Sequence, residues 1–184
     1  MRTSRLLLSV LTIAGAAIVA AAHAAGAQGV RIKFAAWPES VLLDTLRQNR
    51  ELSTDPAKVY QAVLQTYAAL GIPTGHTDGK TGIIGSERFE RMRVLADAPM
   101  SKWFNCGGDG NAGPHANEYR VEIAIVTWVE ANAPGGPAAK IGVAAAASAR
   151  DVSGVFRNPM GCSSTGELEK KIIERVARLV GGAE

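Results

Sequence analysis

The sequence predicts an α+β domain in which an antiparallel sheet of about four to five strands carries two amphipathic helices on one face. Three observations predict it. Tyr119, Val121, Ile123, Ile125, Thr127 and Val129 alternate with Arg120, Glu122 and Glu130, the period-two pattern of a half-buried strand. Val59, Val63, Tyr67 and Leu70 recur at helical spacing behind a strong start signal, and Leu168, Ile172, Val176, Leu179 and Val180 form a second such stripe near the C-terminus. The order strand, helix, hairpin, loop, hairpin, helix lets the strands share one sheet and leaves both helices to cover it.

Residues 28–54 read as an extended lead-in, with Val30, Ile32 and Phe34 alternating before Trp37-Pro38, followed by a first strand across Val41–Leu52. A single α+β domain then occupies residues 55–184. Asp55 is placed to accept the first free helical N–H groups, Pro56 stands where a missing N–H costs nothing, and Gly71 supplies the left-handed residue that ends the helix. Asp78-Gly79 signals a hairpin, with Thr81 to about Val94 returning. The charged run Glu87-Arg88-Phe89-Glu90-Arg91-Met92-Arg93 is expected in solvent or along a sheet edge, where charge discourages unwanted pairing. Ala98–Phe104 is expected to make one helical turn. Tyr119–Ala131 and the Ala-rich Lys140–Arg150 form a second hairpin around Pro134-Gly135-Gly136-Pro137, and Ser164 or Thr165 caps the last helix.

The chain opens on a secretory signal peptide, residues 1–27: Arg2 and Arg5, an apolar run from Leu6 to about Ala22, then small residues. Cleavage after Ala27 leaves Gln28 as the new terminus, and cleavage after Ala24 is the other solution. The expected location is periplasmic or extracellular, with no stable membrane anchor after cleavage and no cysteine beside the cleavage region to take a lipid. Removing 27 of 184 residues leaves 157, a length for one domain. Without Arg2 and Arg5, 20 basic residues become 18 against 17 acidic ones. A balance so close to neutral lacks the clustered basic face of a nucleic-acid binder.

Cys106 and Cys162 are the two cysteines, both beside glycines, and in an oxidising compartment they read first as a disulfide, ahead of a metal or redox role or two free thiols. Other chemical motifs fail on their setting. Gly79-Lys80-Thr81 lacks the earlier glycine of a phosphate loop and runs from helix to strand, the reverse of what phosphate binding needs. Gly108-Asp109-Gly110-Asn111-Ala112-Gly113 matches a dinucleotide-binding string by letter, but no βαβ unit surrounds it, and Asp109 with Asn111 begins a calcium series that no Glu closes. His76 and His115 stand in loops without metal-ligand spacing. Glu87, Glu90, Glu167 and Glu169 read as solvated surface carboxylates. No catalytic residue, cofactor or metal site is assigned. The ligand or partner contacts singled out are Trp103, Phe104, Trp128 and His115, with Trp128 either in a secondary core or exposed to a ligand.

The run Pro56-Ala57-Lys58-Val59-Tyr60 through Ala69-Leu70-Gly71-Ile72, then Asp78, Thr81-Gly82 and Ile83, resembles the opening of domains in the BamC-like group of bacterial envelope lipoproteins. The resemblance covers residues 55–94. It implies a helix-grip α+β domain with a noncatalytic, protein-binding role in the cell envelope. The chain departs from that group in lacking the lipoprotein cysteine and in carrying the Cys106 and Cys162 pair. The expected function is therefore an exported, noncatalytic binding or interaction domain with an envelope protein as partner. Two other readings stand beside it: a carrier of an apolar ligand between sheet and helices, and a hydrolase using His76 or His115.

Overall fold

The computed structural model describes residues 30–34, 39–110, 113–133, 136–154 and 158–181. The expected leader (residues 1–27), Trp37 and Asn111 lie outside them. The elements in chain order are β1 (Arg31–Ile32), β2 (Val41–Leu42), a 3-10 turn (Leu43–Leu46), β3 (Gln48–Leu52), α1 (Pro56–Ala69), β4 (His76–Asp78) and β5 (Ile83–Met92). There follow β6 (Val94–Leu95), β7 (Ala98–Pro99), α2 (Met100–Trp103), β8 (Phe104–Asn105), β9 (Gly108–Asp109), β10 (Gly113–Pro114) and α3 (His115–Glu118). The chain continues with β11 (Arg120–Ala131), β12 (Ala139–Arg150), β13 (Met160–Ser164) and α4 (Glu167–Gly181).

The fold is α+β and its main sheet is antiparallel, but it has seven strands where the sequence predicted four to five. Two causes account for the difference. The stretch read as one strand over Val41–Leu52 is broken by the 3-10 turn into β2 and β3, and only β3 joins the main sheet. Met160–Ser164, read as loop, forms β13, although Gly161, Ser163 and Ser164 carry little strand propensity. It is a strand because it pairs with β12 on one side and β8 on the other.

β11 and β12 form the axis of the sheet, in unbroken register from Arg120 opposite Arg150 to Ala131 opposite Ala139. β5 lies on the other side of β11, with β4 beyond it along Ile83–Gly85 alone. From Ser86 onward the far side of β5 has no strand partner among the described residues, so the charged run lines an edge. Arg88 faces Glu122 at 3.8 Å there, and Arg120 faces Glu90 at 3.6 Å.

Both long helices pack on one face. Val59, Val63 and Tyr67 of α1 and Leu168, Ile172, Ile173 and Val176 of α4 meet Val121, Ile123, Ile125 and Val129 in one core. Tyr67 Oη and Thr127 Oγ1 share a buried hydrogen bond of 3.0 Å. Leu179, placed on the inner stripe from its spacing, is 46% exposed near the end of α4. The α1 start is as read: Asp55 Oδ1 accepts from the Ala57 and Lys58 N–H groups at 2.9 and 3.4 Å. Its end is a Schellman turn, with Ile72 N–H donating to Tyr67 and Gly71 N–H to Ala68, and Gly71 at φ 67°.

The opposite face of the sheet carries a second core, the first of the two readings given for Trp128. Ile32, Phe34 and Leu43 from the N-terminal segment cover Ala124, Val126, Trp128, Ala144 and Ala146. Arg47 locks the segment down: its guanidinium makes a bidentate pair with Glu130 at 2.9 and 3.0 Å, donates to Asn49 Oδ1 at 2.8 Å and lies over the Trp128 ring at 5.2 Å. The Arg47 guanidinium holds the Glu130 carboxyl below its ordinary range.

The predicted disulfide is present. Cys106 and Cys162 are bonded across 56 residues and tie the loop after β8 to the middle of β13. A loop of that length gives about 4 kcal/mol in chain-entropy terms. Replacing both cysteines by Ala should therefore lower the denaturation free energy by up to about 4 kcal/mol. An unchanged guanidinium midpoint would count against the bond. A second prediction concerns Arg93, exposed and held at φ 64° between β5 and β6. Arg93→Gly should raise stability by about 1 kcal/mol, since glycine meets no Cβ penalty in the left-handed region. Urea denaturation checks the sign.

Candidate functional site

The three aromatic residues Trp103, Phe104 and Trp128 singled out from sequence are buried. Trp103 and Phe104 are buried in the inner core, where Trp103 Nε1 donates to the Leu95 carbonyl at 2.8 Å and the Lys102 and Lys171 ammonium groups sit over its ring. Trp128 is 5% exposed and belongs to the second core under Arg47. His115 is half-buried and stacks on Tyr119 with ring centroids 4.6 Å apart. His76 is exposed on β4. Among the described residues no group of three or more His, Cys, Asp or Glu side chains is placed to hold a metal.

The Gly79-Lys80-Thr81 loop lies across an open cleft of about 810 Å³ from the start of α1. Two of its amides are already engaged: Lys80 and Thr81 N–H both donate to Asp78 Oδ1, which holds that carboxyl below its ordinary value. The expected Asp-Gly hairpin is thus a four-residue loop folded over Asp78, with Gly82 at φ 70° closing it against Val129. With Asp55 capping α1, the Ala57, Lys58, Lys80 and Thr81 amides beside this cleft already have carboxylates.

A different arrangement forms around β12. Its outer edge is shared by two strands, β3 along Ala139–Val143 and β13 along Ala147–Ala149. Ala144, Ala145 and Ala146 pair with neither, which leaves a notch of about 670 Å³ between the two strands. Alternation along the sheet decides which backbone groups face it. Val129 donates its N–H toward Gly82 on the β5 side, so the residues of β11 that bond to β12 are Val126, Trp128 and Glu130, opposite Ala144, Gly142 and Lys140. Ala145 therefore turns both its N–H and its C=O to the notch.

Glu169, in the first turn of α4, forms the floor of the notch. It is 2% exposed, which corrects its reading as a solvated surface carboxylate. Oε1 accepts from Ser164 Oγ at 2.7 Å, and Ser164 Oγ in turn accepts from Gly166 N–H at 3.1 Å. Oε2 is buried and has no hydrogen-bond partner. Burial raises the Glu169 pKa, against smaller opposing pulls from the Ser164 hydroxyl and the N–H groups of Glu169 and Ala145. Other lining residues are apolar or neutral, among them Val41 and Leu46 at the rim, Gln48, and Cys162, which is spent in the disulfide.

Sequence reasoning missed Glu169 because an acid three positions into a helix after Ser164-Thr165-Gly166 has the signature of a solvated capping residue. The only sequence cue to the site is the Ala-rich run of β12.

No protein-family model matches this chain, and no curated protein matches it either.

Because the folded-state pKa of Glu169 lies above its ordinary value of about 4.5, the group contributes stability that is complete below that value and is lost as pH rises through the folded pKa. Glu130 and Asp78, both lowered, act in the opposite sense and lose their contribution as pH falls. Glu169→Gln cancels the first effect and leaves the others. The variant's urea midpoint minus that of the parent should therefore grow as pH increases from 4.5 upward. A difference independent of pH would show that Glu169 titrates normally.

Proposed function

We propose that this chain is an exported, noncatalytic binding domain, stabilised by the Cys106–Cys162 disulfide, whose ligand enters the notch between β3 and β13. The observation that carries the reading is the buried Glu169 carboxylate, with an oxygen lacking a donor at the floor of an open cleft. An unsatisfied buried acceptor costs on the order of 1–3 kcal/mol, and a polar group kept in that condition within a cleft marks a place where something binds.

The composition of the notch favours binding over catalysis. Glu169 is its one titratable side chain, and no histidine lines it. The hydroxyl nearest the carboxylate, Ser164 Oγ, is held as donor to Glu169 and as acceptor from Gly166. A hydrolytic site needs a nucleophile, a base and oxyanion donors converging on one point. The carrier reading has less room, because the space between sheet and helices is filled by fully buried Val63, Tyr67, Ile123, Ile125, Leu168 and Ile172.

Export rests on the leader and on the disulfide, and no described helix is long and apolar enough to cross a membrane. A partner in the cell envelope, as the resemblance over residues 55–94 implies, is part of the same proposal.

A fragment and short-peptide screen followed by protein NMR tests it. Hits should move the amide signals of Ala145, Ser164 and Glu169, and Ser163→Phe, which places a ring at an exposed lining position, should abolish their binding. Hits confined to other surfaces, or turnover of ester or peptide substrates by the purified chain, would refute the reading.

A further inference from the structure

We infer that the notch recognises an alkylammonium group, a primary amine carried on an aliphatic stem. The inference rests on the binding reading above and follows from a count of the notch's donors and acceptors. Each of its side-chain donor groups already makes a bond inside the protein. Ser164 Oγ donates to Glu169, Thr165 Oγ1 to the Lys102 carbonyl at 2.7 Å, Ser163 Oγ to the Asn105 carbonyl at 3.5 Å, and Gln48 Nε2 to the Gly166 carbonyl at 3.2 Å. The Ala145 N–H, also turned to the notch, faces the Glu169 carboxyl, so what remains open is of the other kind. Glu169 Oε2 has no donor, and the Ala145 carbonyl lies on the unpaired stretch of the β12 edge. A ligand seated here must donate; a carboxylate, phosphate or bare carbonyl would meet acceptors.

Charge narrows the class. No cationic side chain lines the notch, so an ionised Glu169 has no counter-charge there. A buried carboxylate is best satisfied by a cation that also hydrogen-bonds to it. Geometry then separates the two common organic cations. A guanidinium uses two coplanar N–H groups against both oxygens of a carboxylate, and Oε1 is already held by Ser164. An ammonium needs one free oxygen and shares its remaining protons among other acceptors, which Oε2 and the Ala145 carbonyl supply. Val41 and Leu46 at the rim, with Ala145 and Ala146 on the wall, give an aliphatic stem apolar surface to lie on.

The same group can come from a lysine of a partner protein or from a free small amine. Titration of the purified chain with n-butylamine, n-butanol, butyrate and the capped tripeptide acetyl-Ala-Lys-Ala-amide, read by protein NMR at neutral pH, tests the inference. Butylammonium should shift the Ala145, Ser164 and Glu169 signals saturably and bind at least about tenfold more tightly than butanol. Glu169→Gln should weaken it by about tenfold or more while its melting temperature shows that it still folds. Ser163→Phe, altered only at an exposed position, should block it independently. Tighter binding of the tripeptide than of butylamine identifies a partner lysine as the source; preference for butylamine identifies a free amine. Butanol or butyrate binding the notch as well as butylamine, or Glu169→Gln retaining full affinity, overturns the ammonium inference and leaves a binding notch of other chemistry. Absence of any ligand from the notch overturns both.

Discussion

The rest of the molecule depends on the pairing of β11 with β12. Twelve consecutive residue pairs hold these strands together, and both faces of the pair are buried over most of its length. Their side chains divide the work. β11 supplies bulk, with Val121, Ile123, Ile125 and Val129 toward the helices and Val126 and Trp128 toward the N-terminal segment. β12 supplies closeness, because Ala144 to Ala147 raise almost nothing above the backbone on either face. Elements that pack on β12 approach its main chain directly. α4 does so on one side and the 3-10 turn on the other, with Leu43 seated on Ala144 and Ala146.

The notch is a consequence of how the far edge of β12 is shared. β3 reaches it under the control of Arg47, which pairs with Glu130 across the sheet and lies against Gly142 so closely that a Cβ there would sit 2.6 Å from its Cδ. That glycine therefore allows Arg47 to cross the strand and turn the chain out into the 3-10 segment. β13 reaches the same edge from the opposite end, with Cys162 facing Ala147 and bonded to Cys106. Neither strand extends into the other's share, so three alanines are left without a ladder partner on that side. Unpaired backbone groups in a sheet interior need other partners. Glu169, at the start of a helix whose dipole favours a negative charge, faces the Ala145 N–H there.

Much of this fold was legible in the sequence wherever a signal was local. Asp55-Pro56 and Gly71 delimit α1 by capping chemistry that acts within a few residues, the alternation of β11 follows from one strand having a wet and a dry side near its start, and the chain's two cysteines have each other as partners. What was not legible depends on contacts between distant segments. β13 has the composition of a loop and is made a strand by neighbours on both sides. The second core needs Phe34 and Leu43 to find a sheet face whose small residues look neither polar nor strongly apolar. Trp103, Phe104 and Trp128 attracted attention because large aromatics serve binding sites and cores alike, and here burial in cores places them. Glu169 has the local sequence of an exposed first-turn acid, and its burial is set by a gap in a strand more than twenty residues earlier.

A buried acceptor without a donor, in a small domain, requires stability from elsewhere. Net folding free energies are only about 5–15 kcal/mol, so an orphaned carboxylate oxygen at about 1–3 kcal/mol takes a substantial part of the total. The disulfide stands in direct relation to that cost. It contributes about 4 kcal/mol by restricting the unfolded chain, and it does so at Cys162, on the strand that forms one wall of the notch. The crosslink thus offsets the energetic penalty of Glu169 and also fixes the wall that keeps the notch from closing over it. An apolar residue at position 169 would remove the penalty and the acceptor together. The arrangement makes physical sense in a compartment where the cysteines stay oxidised, which is where the leader sends the chain in the reading proposed above.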